Sequence, residues 1–372
     1  VLDPALSYDD RRRSGRELRV EVPFDVALDV SALPVDRAWT GAAVAEAVTA
    51  SPTSGLVVWL SGRGDLPAIG AVADGRLAMC DLTDVDEALP GPWEADVMAM
   101  ALSAAVAGKR SKGRSLAEAV ASGYREGVAA IAGAPLHAVD AAAREAAAGR
   151  AAGVHESYVA SFEGAEKLLV RTPASEAAAE LDPAAVAAHW QAPVAGVLDD
   201  ALREFAQYRE TVDEPAASLM SGYRMIDALG AEDGRVMVLL AREASGKGRR
   251  DVVLVEGSPV TPSPLEPALG AWRQGSDVQR VLEARERLPL ASASLLGWST
   301  SRDGAVARAW QRPRLAPKPM SSDASRKRAR SAGFVLGLLH ARTGDAVALA
   351  GYLGGSDRFP VAVADAVAAV SG

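Results

Sequence analysis

The chain has 372 residues, a formal charge of −8 and a pI near 5.2. That length suits two or three lobes around a sizeable core, and the acidic balance argues against a general nucleic-acid binder, which would carry a basic face. No apolar run approaches the ~20 residues that span a bilayer and no stretch reads as a signal peptide, so the sequence predicts a cytoplasmic protein without membrane contact. Hydrophobic residues make up 49%, but much of this is alanine and aromatics are only 5%, a balance that favours helices of small side chains. Cys80 is the single cysteine, which rules out an intrachain disulfide and a cysteine-based zinc site. The four histidines (His137, His155, His189, His340) are widely spaced with no HxxxH pair, against a histidine metal site. The first residue is Val1 rather than methionine, which leaves open whether it is the true start.

Residues 1–38 are charged and proline-punctuated and read as a solvated arm. An alanine-rich helix follows at 39–50, stopped by Ser51-Pro52. Residues 56–60 form a compact apolar run, the pattern of a buried strand. It leads into Ser61-Gly62-Arg63-Gly64-Asp65-Leu66, a glycine-rich loop of the kind that brings backbone N–H groups near an anion. Asp74-Gly75 marks a hairpin, and residues 76–80 return as a strand.

The next stretch, residues 81–96, organises the reading. It carries six carboxylates in sixteen residues: Asp81, Asp84, Asp86, Glu87, Glu94 and Asp96. Asp84 and Asp86, two apart, project to one side of an extended backbone. Such acids repel unless offset by a divalent cation, a basic partner or water, which makes Asp84 and Asp86 the candidate metal ligands, with a solvated acidic loop as the alternative. Pro90-Gly91-Pro92 reads as a turn and Trp93 as the start of a helix.

Helices are predicted at 93–107, 115–131, 135–150, 155–167 and 176–190, broken by glycine, proline or basic turns, and another at 194–212. The region 135–152, nearly all alanine, arginine and glutamate, has little to pack and is expected to be exposed or covered by a partner. Composition shifts at Asp213-Glu214-Pro215. Two β-runs at 235–241 and 251–256 flank Ser245-Gly246-Lys247-Gly248, which lacks the spacing of a phosphate loop and reads as a hairpin tip. A proline-rich linker, a charged helix at 277–290 and a strand at 306–312 follow. Residues 313–322 are proline-rich with Lys318. A helix from about 325 runs through Phe334, Leu338 and Leu339 to His340, and two short helices close the chain.

Several segments, in order, resemble the bacterial family catalogued as domain of unknown function 2252. They are Gly15-Arg16 with Leu18-Arg19 and Val22-Pro23, the acidic stretch, Gln279-Arg280-Val281-Leu282-Glu283 through Leu296-Gly297-Trp298, His340-Ala341-Arg342-Thr343-Gly344-Asp345, and Ala350-Gly351-Tyr352-Leu353-Gly354 with Ser356-Asp357. The resemblance implies distant kinship to protein-kinase-like and aminoglycoside-phosphotransferase-like folds. The fold expected is α+β, a kinase-like two-lobed architecture with a mostly helical large lobe and a small antiparallel β lobe inserted late. The corresponding divisions are 1–212 (arm and helical lobe with the acidic strand pair), 213–315 (small β-rich lobe plus helix) and 316–372 (helices packing back on the large lobe).

The chain departs from the family pattern where chemistry should sit. In an ungapped match the family's Gly-Asp becomes Gly62-Arg63, its His becomes Asp65, its Asn becomes Ala68, and a lysine of the second β-run becomes Val255 beside Glu256; a shifted match on Gly64-Asp65 recovers the acid but not the asparagine. Phosphoryl transfer needs a positioned base, a metal and positive charge on the phosphates, and a general base alone contributes ~10² to 10⁴ in rate. The expectation is therefore a divergent kinase-like member, catalytically impaired, that binds a small molecule or a partner protein, with a homo- or hetero-oligomer among the expected assemblies. The alternatives are a Mg²⁺/ATP-dependent phosphotransferase, with Asp84 and Asp86 on the metal and Arg312 or Lys318 on phosphates, and a small-molecule enzyme using Asp65 or His340 as acid or base. For His340, on an apolar helix, a packed and hydrogen-bonded core histidine is the competing reading.

Overall fold

The computed structural model describes all residues except 1–5, 34–39, 67–68, 75–76, 83, 109–111, 152–196, 231–233, 244–249, 273–274, 292–293, 302–303, 305, 313–324 and 372. The architecture is α+β, with a large helical body and small antiparallel sheets. Among the described residues no helix is long and apolar enough to cross a membrane. The predicted helices at 155–167 and 176–190, the hairpin tip at 245–248, Ala68 and Lys318 lie outside the described residues.

Helix α1 (Tyr8–Glu21) starts where the Ser7 hydroxyl accepts the Asp10 N–H, and α2 (Gly41–Thr49) where Thr40 accepts from Ala43 N, both side-chain N-caps. Strand β1 (Val57–Leu60) enters the core, and β2 (Ile69–Asp74) and β3 (Leu77–Leu82) form the expected hairpin. Pro90-Gly91-Pro92, expected as a turn, falls in strand β4 (Leu89–Pro92), paired antiparallel with β1 so that Trp59 faces Pro90 and Val57 faces Pro92. Prolines are tolerated because a two-stranded sheet is all edge, and their missing N–H groups are not needed by a further strand.

Helix α3 (Trp93–Ala107) follows directly. It is buried around most of its circumference, which its apolar run allows, yet it carries the buried Glu94 and Asp96. Helix α4 (Gly113–Ile131) is followed by α5 (Val139–Ala151). The expectation that this alanine-rich helix is exposed or partner-covered does not hold. Ala143 and Ala147 are fully buried, and the helix packs on β3 and on the body of the same chain. Small side chains bury little area each but allow this close seating.

Next in the chain come α6 (Val197–Thr211), α7 (Glu214–Met220), β5 (Arg224–Gly230), β6 (Val236–Glu243) and β7 (Arg250–Pro259). After α8 (Asp277–Arg287) come β8 (Gly297–Thr300) and β9 (Ala307–Gln311), and the five strands form one antiparallel sheet in the order β5-β6-β7-β9-β8. Its core is aromatic: Tyr208 of α6 stacks on Trp310 at 5.3 Å, and Phe205 meets Trp310 edge-on. A buried ion pair, Arg308 Nε to Glu204 at 2.6 Å, ties α6 to β9.

Three helices close the body: α9 (Arg326–Thr343), α10 (Ala346–Leu353) and α11 (Arg358–Ser371). The tightest contact is α9 against α4. Gly123 and Gly127 on one helix and Gly333 and Gly337 on the other sit four apart, and a Cβ at any of them would run into a carbonyl oxygen of the facing helix. This close crossing brings His340 of α9 against Tyr124 of α4.

Candidate functional site

The glycine-rich loop after β1 is fixed from beneath. The Ser61 N–H donates to Asp96 Oδ2 at 2.6 Å, the Ser61 hydroxyl accepts from Gly64 N at 3.1 Å, and Ser103 Oγ of α3 accepts from Leu66 N at 3.1 Å. Gly62 and Gly64 adopt positive φ, and side chains there would strike Glu87 and Ala99. Loop 61–66 is thus pinned to α3, with Arg63 exposed and Asp65 half-buried beside it.

That turn is not extended. Strand β3 ends at Leu82, and Asp84 Oδ1 accepts the N–H of Asp86, a side-chain turn that sends the two carboxylates to different partners. Asp84 Oδ2 lies 3.7 Å from Arg63 Nη1, and Asp65 lies 3.7 Å from Arg63 Nε. Asp86 accepts two hydrogen bonds from Arg285 of α8, at 2.8 and 2.7 Å, a bidentate pair with the arginine 1% exposed. Burial works against the Arg285 charge, but Asp86, with Glu256 and Asp84 behind it, holds its pKa above the ordinary arginine value. Arg280, one helical turn earlier and also buried, donates to the backbone carbonyls of Asp86, Ala88 and Thr261. These two arginines fasten the acidic turn to α8 and to the strand leading out of the small sheet.

The small sheet contributes Glu256 of β7, 3.3 Å from Arg235, its pKa raised by burial with Arg235 and Arg285 working against the rise. Val255 beside it is fully buried in the sheet core. Arg312 follows Gln311, the residue paired across the sheet with Glu256; it is exposed, and its backbone N–H donates to Ser294. Glu87 stands by Gly62. Burial raises its pKa, Arg63 opposes that, and Asp84, Asp65 and Asp86 add to it.

The remaining acids of the stretch are structural. Asp81 Oδ2 accepts from Ala291 N and its Oδ1 from Leu82 N, both at 2.8 Å. Glu94 Oε1 accepts from Ser54 N at 2.8 Å, and Trp93 Nε1 donates to the Ser54 hydroxyl. Burial raises the Glu94 pKa to about 7, against the lowering by its Ser54 hydrogen bond. His340 is fully buried between Tyr124, whose hydroxyl lies 3.0 Å from Nδ1, and Asp96, 3.3 Å from Nε2. It therefore touches the loop only through Asp96 and the Ser61 N–H. Arg342 pairs with Asp140, and Asp345 caps α10 and binds Arg11 at 2.7 Å.

The structure brings Arg63, Asp65, Asp84, Asp86, Glu87 and Glu256 into one region between body and small sheet and keeps His340 beneath it. Among the described residues no group of three or more His, Cys, Asp or Glu side chains is arranged to hold a metal ion. Arg280 and Arg285 are the residues that sequence reasoning missed. Their signal was present: with Val281 and Ala284 they make the buried face of α8, two arginines where apolar residues belong.

The chain belongs to a bacterial family described as an uncharacterized protein conserved in bacteria (DUF2252), whose model matches residues 40–371. No curated protein and no solved structure matches it.

Proposed function

We propose that this chain is a divergent, kinase-like member of its family that binds a small molecule or a partner protein in the cleft between body and small sheet and does not transfer phosphate. The observation that carries this reading is the engagement of the acidic turn by the chain's own arginines. Asp86 has both carboxylate oxygens on Arg285, and Asp84 faces Arg63 and the backbone of Asp86. A divalent ion seeking two carboxylates would have to displace a buried bidentate arginine.

Two further features support it. Arg63 stands where the resemblance to phosphotransferases expects a proton-accepting aspartate, and a guanidinium accepts no proton at working pH. Val255 stands where a phosphate-binding lysine is expected and is buried among apolar side chains. Asp65, Asp84 and Glu87 share Arg63, so the local balance is negative and favours an occupant with a cationic group over a nucleotide phosphate.

Thermal unfolding with Mg²⁺, with ATP and with both together tests this. A ligand at about a hundred times its Kd stabilises the native state by about 2.7 kcal/mol. The reading expects no saturable rise in Tm with the pair. A rise that requires both Mg²⁺ and ATP would replace it with the phosphotransferase reading, in which Asp84 and Asp86 hold the metal.

A further inference from the structure

Two residues of one helical turn hold the two ends of β1. Before the strand, the Ser54 N–H donates to Glu94 Oε1 at 2.8 Å; after it, the Ser61 N–H donates to Asp96 Oδ2 at 2.6 Å. Both carboxyl groups are buried, but they are unequally supplied. Asp96 also faces His340, whereas Glu94 Oε2 is a buried oxygen with no hydrogen-bond partner among the described residues. A neutral carboxyl tolerates that setting far better than a carboxylate, because an unpaired charge loses its hydration without compensation.

Among the described residues none offers Glu94 a counter-charge. On α3 itself the near titratable group is Asp96, of the same sign. On α4 it is Tyr124, whose own pKa burial raises and both carboxylates raise further; Arg114, Glu118, Arg125 and Glu126 of that helix pair at the surface with Asp365, Arg326, Asp357 and Arg330. On α9 it is His340, already on Asp96, while Arg342 turns to Asp140. On α10 it is Tyr352, whose carbonyl takes the nearby Arg19. Glu46 on α2 and Arg358 and Asp365 on α11 are exposed, and β1 carries no titratable residue.

We propose that Glu94 is a proton-operated latch on β1. With the carboxyl protonated, the Ser54 tether is closed, and the strand delivers Ser61 and loop 61–66, with Arg63 and Asp65, to the cleft. With the proton lost, the carboxylate draws water in at Ser54, and strand and loop loosen together. A group buried this way changes charge near neutrality, so the latch works within the physiological range. The inference concerns the loop and not its ligand, so it stands or falls separately from the binding role proposed above.

Hydrogen exchange of the backbone amides of residues 54–66 tests it, from about pH 5.5 to about pH 8.5, with rates normalised to the intrinsic chemistry of exchange. In the native sequence protection of this segment should fall about tenfold or more across the range, with no comparable fall in α4. In Glu94→Gln, which keeps the acceptor for Ser54 and cannot ionise, protection should stay constant. Protection that is flat in the native protein, or that falls equally in Glu94→Gln, overturns the latch. Should that variant not fold, the infrared carbonyl band of a protonated buried carboxyl serves in the native protein. Loss of the band with rising pH in step with the loss of protection supports the latch, and its loss without a change in protection overturns it.

Discussion

Arg285→Ala should lower the unfolding free energy by about 3 to 5 kcal/mol, the usual cost of leaving the other half of a buried ion pair unmatched. The substitution removes both hydrogen bonds to the Asp86 carboxylate and the second cation acting on Glu256. Arg280 does not substitute, because its guanidinium is occupied by Asp277 and by the carbonyls of Asp86, Ala88 and Thr261. A double change, Arg285→Met with Asp86→Leu, takes away both charges and keeps comparable volume, so it should recover most of that loss. Urea unfolding of the three proteins makes the comparison. A loss below about 1 kcal/mol for Arg285→Ala, the range of exposed surface pairs, would mean that the arginine does not neutralise the turn.

The second large effect is a dependence on pH. Burial pushes the Glu94 carboxyl up to a pKa of about 7 in the folded chain, against 4.5 for an ordinary glutamate. A raised carboxyl pKa means that the native state keeps a proton which the unfolded chain gives up. Its contribution is therefore fully present below about pH 4.5 and is lost as pH rises toward 7, after which the curve is flat. At 1.36 kcal/mol per unit the loss is about 3 kcal/mol. Glu94→Gln does not titrate, so the stability of the variant minus that of the native chain should grow by about 3 kcal/mol between about pH 4 and about pH 8. Taking the difference cancels contributions common to the two proteins. Chemical unfolding across that range measures it, and a difference that does not change with pH would place Glu94 in contact with water.

Much of the plan was legible in the chain. The apolar run of 93–107, its start at Trp93, the β2–β3 hairpin and the two long β-runs all come from local signals that tertiary packing did not override. The acidic stretch was legible as a place where charge must be offset, and a basic partner was among the possible answers. What local patterning does not contain is which residue supplies the offset. Arg285 meets Asp86 from 199 positions away, and His340 meets Asp96 from 244. Periodicity reports that a side chain faces inward; it does not report what it faces. The strand at Leu89–Pro92 was hidden for another reason, since Pro-Gly-Pro is turn chemistry everywhere except where backbone donors are not required. The α4–α9 crossing was hidden because glycine in a helix reads as a break until the facing backbone is known.

The account rests on the acidic turn having its charge offset from within the chain, by Arg285 on Asp86 and Arg63 on Asp84. Calorimetric titration of the purified protein with Mg²⁺ bears on this most directly. The account predicts no saturable binding up to about the millimolar range, where a Kd corresponds to about −4.1 kcal/mol. Saturable binding that Asp86→Asn abolishes would contradict it, because the ion would then be taking the carboxylate that Arg285 occupies here.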